Sequence, residues 1–315
     1  MKSAALLLGA LIGLATSASA AVVNVTDCTQ PPVVARGRTT TVDVGANDLV
    51  LQCALVPLPG TGRITVHANN ITVAGPAGSI NTPSDKLAIR LKADAAISLD
   101  STSLEVSGNG SIRVLARTGV EIRKTIITTG DGTRTGRSIL FQCGGTGCPM
   151  FVSRSNVVSN LIKVVIQGPI TTVNSTFLTR GGRAFLTLRS RNDDANLCCS
   201  TFQGTNEGNV FIDAFGKIDL TGSQILTGEN IRVHSGLGGT GSSELLGATL
   251  SNDFGKEGQI DVSAASGASQ IDIDGATLID DDFPRRVNDV SRLNGREQLP
   301  HQGFNNTVGT PQTDT

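Results

Sequence analysis

The sequence predicts an all-β protein: a single-domain, right-handed parallel β-helix (a solenoid) of about nine coils with an N-terminal cap. Three observations carry that prediction. An Ile-x-Val-x-Ala run recurs nine times, with starts 21 to 29 residues apart. Each clear copy is followed by two further period-2 apolar segments, separated by corners bearing Gly and lacking helical periodicity. The composition, with 37 Gly, no Trp, no Tyr and 10 Phe, supplies many turns and a core of Val, Ile, Leu and Ala. A fixed period of this kind marks stacked coils rather than a compact globule.

The first 20 residues read as a secretory signal. Lys2 is the charged start, Ala4 to Ala15 is an apolar stretch too short to span a bilayer, and Ala18-Ser19-Ala20 is a small-residue cleavage site. Residues 21–60 differ from the repeat, and Thr39 to Val44 and Leu49 to Cys53 read as strands that cap an open first coil. The β-helix is expected across 61–282. Residues 283–315 are polar and irregular and read as a capping segment with a flexible tail.

The nine runs open at Ile64, Ile89, Ile112, Ile139, Val164, Leu186, Val210, Ile231 and Ile260. Their third members are all small: Ala68, Ala93, Ala116, Cys143, Gly168, Ser190, Ala214, Ser235 and Ala264. A tight corner that admits nothing larger is the expected cause. The second segment recurs as Ile71/Val73, Ile97/Leu99, Val120/Ile122, Leu197/Cys199 and Ile271/Ile273. The third recurs at Leu104, Ile126, Phe177, Phe202, Ile225, Leu250 and Leu278, often after small hydroxylated residues such as Ser175-Thr176 and Ser200-Thr201. A leucine-rich repeat has a similar period but needs a helical return, and here the return is strand.

This pattern resembles the right-handed β-helix repeats of filamentous-haemagglutinin-type adhesins and, more widely, the pectin-lyase-like β-helix proteins. The resemblance covers roughly residues 61 to 282. It implies architecture more than activity, because every residue in it is a packing or turn residue.

Formal charge is −1, and removal of Lys2 with the signal takes it to −2. Neither a nucleic-acid partner nor an anionic membrane is indicated. No later segment is long and apolar enough to form a transmembrane span. The expected location is secreted, periplasmic or cell surface. Six cysteines in an exported chain make disulfides plausible. Cys28 and Cys53 both precede the first run and can staple the cap. Cys143 and Cys148 bracket a Gly-rich turn and can close a small ring, although Cys143 alone also serves as a small corner residue. Their spacing does not match zinc knuckles, so no metal and no cofactor is expected.

Enzymatic β-helices cluster carboxylates with a histidine or a basic pair. His67, His234 and His301 all lack that setting. Asn192-Asp193-Asp194 is the best acidic pair, and Asp193 and Asp194 are the candidates for acid and base work on a glycoside; an Asn/Asp turn is the simpler reading. Asp272, Asp274, Asp280, Asp281 and Asp282 are acidic enough for a hard cation but fall at the last coil. Arg90 and Arg113 occupy the same outward position in successive runs, and Arg180, Arg183, Arg189 and Arg191 form a second basic group. Arg90, Arg113, Arg189 and Arg191 are therefore the candidate ligand-binding residues for an acidic polysaccharide or envelope component. The expected function is a non-enzymatic surface, adhesive or structural module, with a polysaccharide lyase or hydrolase as the alternative. Finally, the outward column is expected to hold Leu140, Val165 and Phe211 as a covered apolar patch.

Overall fold

The computed structural model describes residues 20–82, 88–107, 110–130, 138–181, 184–205, 207–239, 241–252 and 260–264, and the backbone of the strands Gln270–Asp272, Thr277–Ile279, Arg286–Asn288 and Arg292–Asn294. Among the described residues there is no helix. The strands assemble into three sheets, of 12, 12 and 10 strands. Away from the two ends, neighbours in each sheet come from successive coils and a coil gives one strand to each sheet, so the chain is a parallel β-solenoid of about nine coils.

The first sheet carries the longest strands. Its nine successive members Arg63–Ala68, Ala88–Ala93, Ser111–Ala116, Ser138–Cys143, Leu161–Ile166, Phe185–Ser190, Asn209–Ala214, Ile231–Ser235 and Ile260–Ala264 match the nine repeats. The period-2 pattern forms strands because alternate side chains then enter the core while the rest face water. Ile64, Ile89, Ile112, Ile139, Ile162 and Leu186 align into one inward column, each fully buried. Each such side chain removed from water contributes roughly 1.5–3 kcal/mol.

The stack begins before residue 61. Thr39–Asp43, Asp48–Leu51 and Ala54–Leu55 pair in parallel with the strands of the next coil, so they form a further coil in register. Below them, Val33–Arg36 runs antiparallel to Thr39–Asp43, and Val22–Val25 runs parallel to Asp48–Leu51. Past Asp282, Arg286–Asn288 and Arg292–Asn294 extend the first and second sheets. Residues 1–19, which hold most of the signal-like segment, and the chain beyond 294 lie outside the described residues.

The register departs from the repeat pattern at three places. In the fifth run Ile162, not Val164, faces Ile139, so the run is Ile162-x-Val164-x-Ile166. In the second sheet Ala195 pairs with Ile170 and Ile218, which makes Ala195/Leu197 the inward pair and sets Cys199 on the exposed corner. In the third sheet Leu104 faces Ile127, and Ile126 is 48% exposed. A strand alternates faces with period two, so a one-residue misreading exchanges inside for outside while a two-residue one hides inside the same pattern.

Ile166 also breaks the rule that the corner holds only small residues, being fully buried between Cys143 and Ser190. The corners after Cys143 and Ser190 are lengthened, reaching the next sheet only at Met150 and Ala195, and longer corners leave more room. Gly168 is small for another reason. A Cβ there would lie 2.5 Å from the Gly147 carbonyl carbon and 2.6 Å from the Cys148 oxygen, so the Cys143–Cys148 loop demands it. Ala116, although it pairs with Cys143, is followed by a shorter corner than Ile166, because its next strand already opens at Gly119. Ala116→Leu is expected to lower stability by ~1–3 kcal/mol through overpacking; an unchanged thermal midpoint would show the corner to be open.

Between second and third sheets seven successive coils each place one left-handed residue: Ser101, Lys124, Arg154, Asn174, Cys199, Gly222 and Gly247 have φ from 46° to 62°. The next residue is a buried hydroxyl in Thr125, Ser155, Ser175, Ser200 and Ser223. These hydroxyls form an internal ladder. Ser155 Oγ accepts from Thr125 N at 3.1 Å, Ser175 Oγ from Ser155 N at 3.3 Å, and Ser223 Oγ from Ser200 N at 3.2 Å. Corner amides that leave the sheet pattern are thereby satisfied inside the core.

Candidate functional site

The outward face of the first sheet gathers most of the residues singled out by sequence. The register sets Arg90 directly beside Arg113, then Leu140, Lys163, Thr187, Phe211 and Arg232 along one column. Arg90, Arg113 and Lys163 are exposed. Among the described residues no carboxylate lies within ion-pair distance of these three. Lys163 was hidden by the misregistered fifth run; aligning its Ile-x-Val-x-Ile with the neighbours would have revealed it.

The expected apolar patch changes shape. Val165 belongs to the next column, facing Gln142 and Arg189, and Lys163 and Thr187 separate Leu140 from Phe211. The observed apolar cluster is Leu161, Phe185 and Phe211. Leu161 and Phe185 are rung partners, 38% and 40% exposed, and the Phe185 and Phe211 ring centroids are 6.4 Å apart. Arg232 lies over the Phe211 ring at 4.7 Å.

Arg189 is not a free cation. It lies beside Asp213 on the adjoining strand, with Nε 3.8 Å from Oδ2, while Arg232 donates to the same oxygen at 3.0 Å. Asp213 is buried although it points outward, and its Oδ1 has no hydrogen-bond partner. This Arg189–Asp213–Arg232 group was missed because the three residues are distant in sequence and only the register joins them. Arg191 is exposed on the following corner. Arg180 is exposed at a different corner, by an open cavity of about 600 Å³ lined by Leu178, Gln203 and Glu207. Arg183 lies outside the described residues, as do His301 and the side chains of Asp272, Asp274 and Asp280 to Asp282.

Asp193 and Asp194 serve backbone turns. Asp193 Oδ1 accepts from Asp194 N at 2.9 Å, and Asp194 Oδ1 accepts from Lys217 N at 2.7 Å. Among the described residues no group of three or more His, Cys, Asp or Glu side chains is placed to hold a metal ion, and no helix is long and apolar enough to cross a membrane.

At the N-terminal end of the same face His67 bridges three coils. Its Nδ1 is 3.1 Å from Asp43 Oδ1 and its Nε2 is 3.1 Å from Asp94 Oδ2, with Lys92 Nζ 3.6 Å from Asp94. Partial burial pushes the Asp43 carboxyl up, but hydrogen bonds from Gly45 N and His67 hold it below its ordinary value. The His67 hydrogen bond lowers Asp94, and hydrogen bonds from Asn69 and Asn70 lower Asp48. A carboxylate lowered in the folded state stabilises above its unfolded value, 3.8, and that contribution is lost as pH falls through the lower folded value. The urea midpoint is therefore expected to hold steady down to about pH 4 and drop below it. The drop should be shallower in Asp43→Asn/Asp48→Asn/Asp94→Asn, and identical acid profiles would remove these carboxylates from the account.

No protein-family model, no curated protein and no solved structure matches this chain.

Proposed function

We propose that the chain is an exported, non-enzymatic surface or adhesive module that holds an acidic polysaccharide along the outward face of its first sheet. The observation that carries this reading is the column of exposed cations Arg90, Arg113 and Lys163, with Leu140 on the rung between the last two. Arg90 and Arg113, one strand apart at roughly 4.8 Å, repel one another unless an anion lies along them. A polyanionic chain with carboxylates at successive sugars supplies the opposite charge to this pair and, two rungs on, to Lys163. The adjoining Leu161–Phe185–Phe211 surface offers apolar and ring faces against which a sugar packs. Export is supported by the signal-like N-terminus and by the disulfides Cys28–Cys53 and Cys143–Cys148. The likeness of the repeats to haemagglutinin-type and pectin-lyase-like β-helices belongs to the same reading.

Binding to immobilised polyuronate is expected to weaken as salt rises, because exposed charges are screened. Arg90→Glu/Arg113→Glu/Lys163→Glu should weaken it at least about tenfold while far-UV circular dichroism is unchanged. A neutral glucan should not bind. Equal affinity of wild type and triple variant for polyuronate would overturn the reading.

One observation favours an enzymatic second reading, a lyase or hydrolase of the pectin-lyase-like kind: the buried outward carboxylate of Asp213 between two arginines, with one oxygen unpartnered. Release of reducing or unsaturated ends from polyuronate, abolished in Asp213→Asn, would support it.

A further inference from the structure

Four of the six cysteines are consumed in two disulfides, and Cys198 and Cys199 remain as thiols. Their neighbourhood limits what they can do. Cys28, Cys53, Cys143 and Cys148 are already bonded, so within the chain each thiol has only the other as partner. Cys199 occupies the left-handed corner between the second and third sheets, with φ 58°, and is exposed. Its Sγ lies 4.0 Å from the Thr221 carbonyl oxygen, next to the glycine corner of the following coil, where a Cβ on Gly222 would come within 3.8 Å of the sulfur. Cys198 is half-buried. Its neighbours fix the backbone on both sides: its amide donates to Asn196 Oδ1 at 3.4 Å and its carbonyl accepts from Ser200 Oγ at 3.2 Å.

We propose that Cys198 and Cys199 form a vicinal redox pair, closing reversibly into a disulfide across their own peptide bond by exchange with an external disulfide. The steps balance. The Cys199 thiolate attacks one sulfur of a disulfide RSSR, forms the mixed disulfide and expels RS⁻. The Cys198 sulfur, after giving its proton to solvent, then attacks the Cys199 sulfur, forms the Cys198–Cys199 bond and expels the second RS⁻. Two thiols are oxidised, one RSSR is reduced, and both leaving groups take up protons as RSH. Exposure makes Cys199 the entry sulfur. Cys198 takes the resolving role because it is the adjacent sulfur and the less exposed of the two; the neighbouring Cys199 and partial burial push its thiol up to about 11, which disfavours it as the entry nucleophile. Adjacent residues sit closer than the Cα separations usual for disulfides, so the ring is strained and should reopen more readily than the two structural bridges.

The test uses the folded chain with both other disulfides intact and oxidised glutathione in excess, followed by alkylation and peptide mass mapping. The peptide carrying Cys198 and Cys199 is expected to lose the mass of two hydrogens and take up no alkyl group. A limiting amount of dithiol reductant should restore it before Cys28–Cys53 or Cys143–Cys148 opens. In Cys198→Ser the reaction should stop at a stable glutathione adduct on Cys199. A wild-type product that stays at the adduct, that links two copies of the chain, or that leaves both thiols free to alkylate would each overturn the proposal.

Discussion

Phe177→Ala is expected to cost ~3–5 kcal/mol and to divide the unfolding of the stack. Phe177 and Phe202 are fully buried, lie on successive strands of the third sheet, and stack with ring centroids 5.4 Å apart at 18°. They are the largest side chains in that part of the interior; Val157 precedes Phe177 in the column and Ile225 follows Phe202. Alanine leaves a cavity that the aligned backbones cannot close without breaking register, and Phe202 loses its stacked neighbour. In a solenoid each coil contacts chiefly the coils beside it, so the loss falls on the junction of two neighbouring coils. Urea unfolding followed by both circular dichroism and hydrogen exchange should show a lower midpoint, with the two halves of the stack no longer unfolding together. A midpoint within error of wild type would mean that the ring pair contributes little to packing.

Replacing both Cys28 and Cys53 by Ser is expected to cost about 3 kcal/mol, concentrated at the N-terminal end. The bridge closes a loop of 25 residues in sequence separation. It ties the segment between Val22–Val25 and Val33–Arg36 to the corner after Asp48–Leu51. Those two strands are terminal members of their sheets and rest on a single neighbour each, by parallel pairing in one case and antiparallel in the other. Without the covalent tie, little but those ladders opposes fraying. Hydrogen exchange should accelerate from Val22 to Arg36 and stay near wild type at Ile89 and beyond. Uniform acceleration along the whole stack would instead mark the N-terminal coil as the initiator of global unfolding.

The order of the coils was legible because stacking repeats one local requirement: alternate apolar residues inside, glycine-rich corners between. Ile64, Ile89, Ile112 and Ile139 recur at nearly equal spacing. The hydroxyls before Phe177 and Phe202 were visible as a pattern, but their purpose was not. A buried Ser that accepts an amide from the preceding coil is a contact between coils, and local sequence carries no mark of it. Cys199 looked like an inward residue in an alternating segment, and only pairing of Ala195 with both neighbours turned it to the outside. The candidate site divides the same way. Arg90 and Arg113 were paired from the repeat alone, whereas Lys163 and the Asp213 group required the true register.

By itself, then, the sequence determined the all-β class, the coil period, the parallel stack and most of the core, since periodic burial is a local property of each strand. The tertiary structure decided the register of the irregular coils, the start of the stack at Thr39, the need for glycine at 168, and which charges share a face. Those depend on corner lengths and on contacts between coils some twenty to thirty residues apart, where a shift of two leaves the hydrophobic pattern intact and moves every outward neighbour.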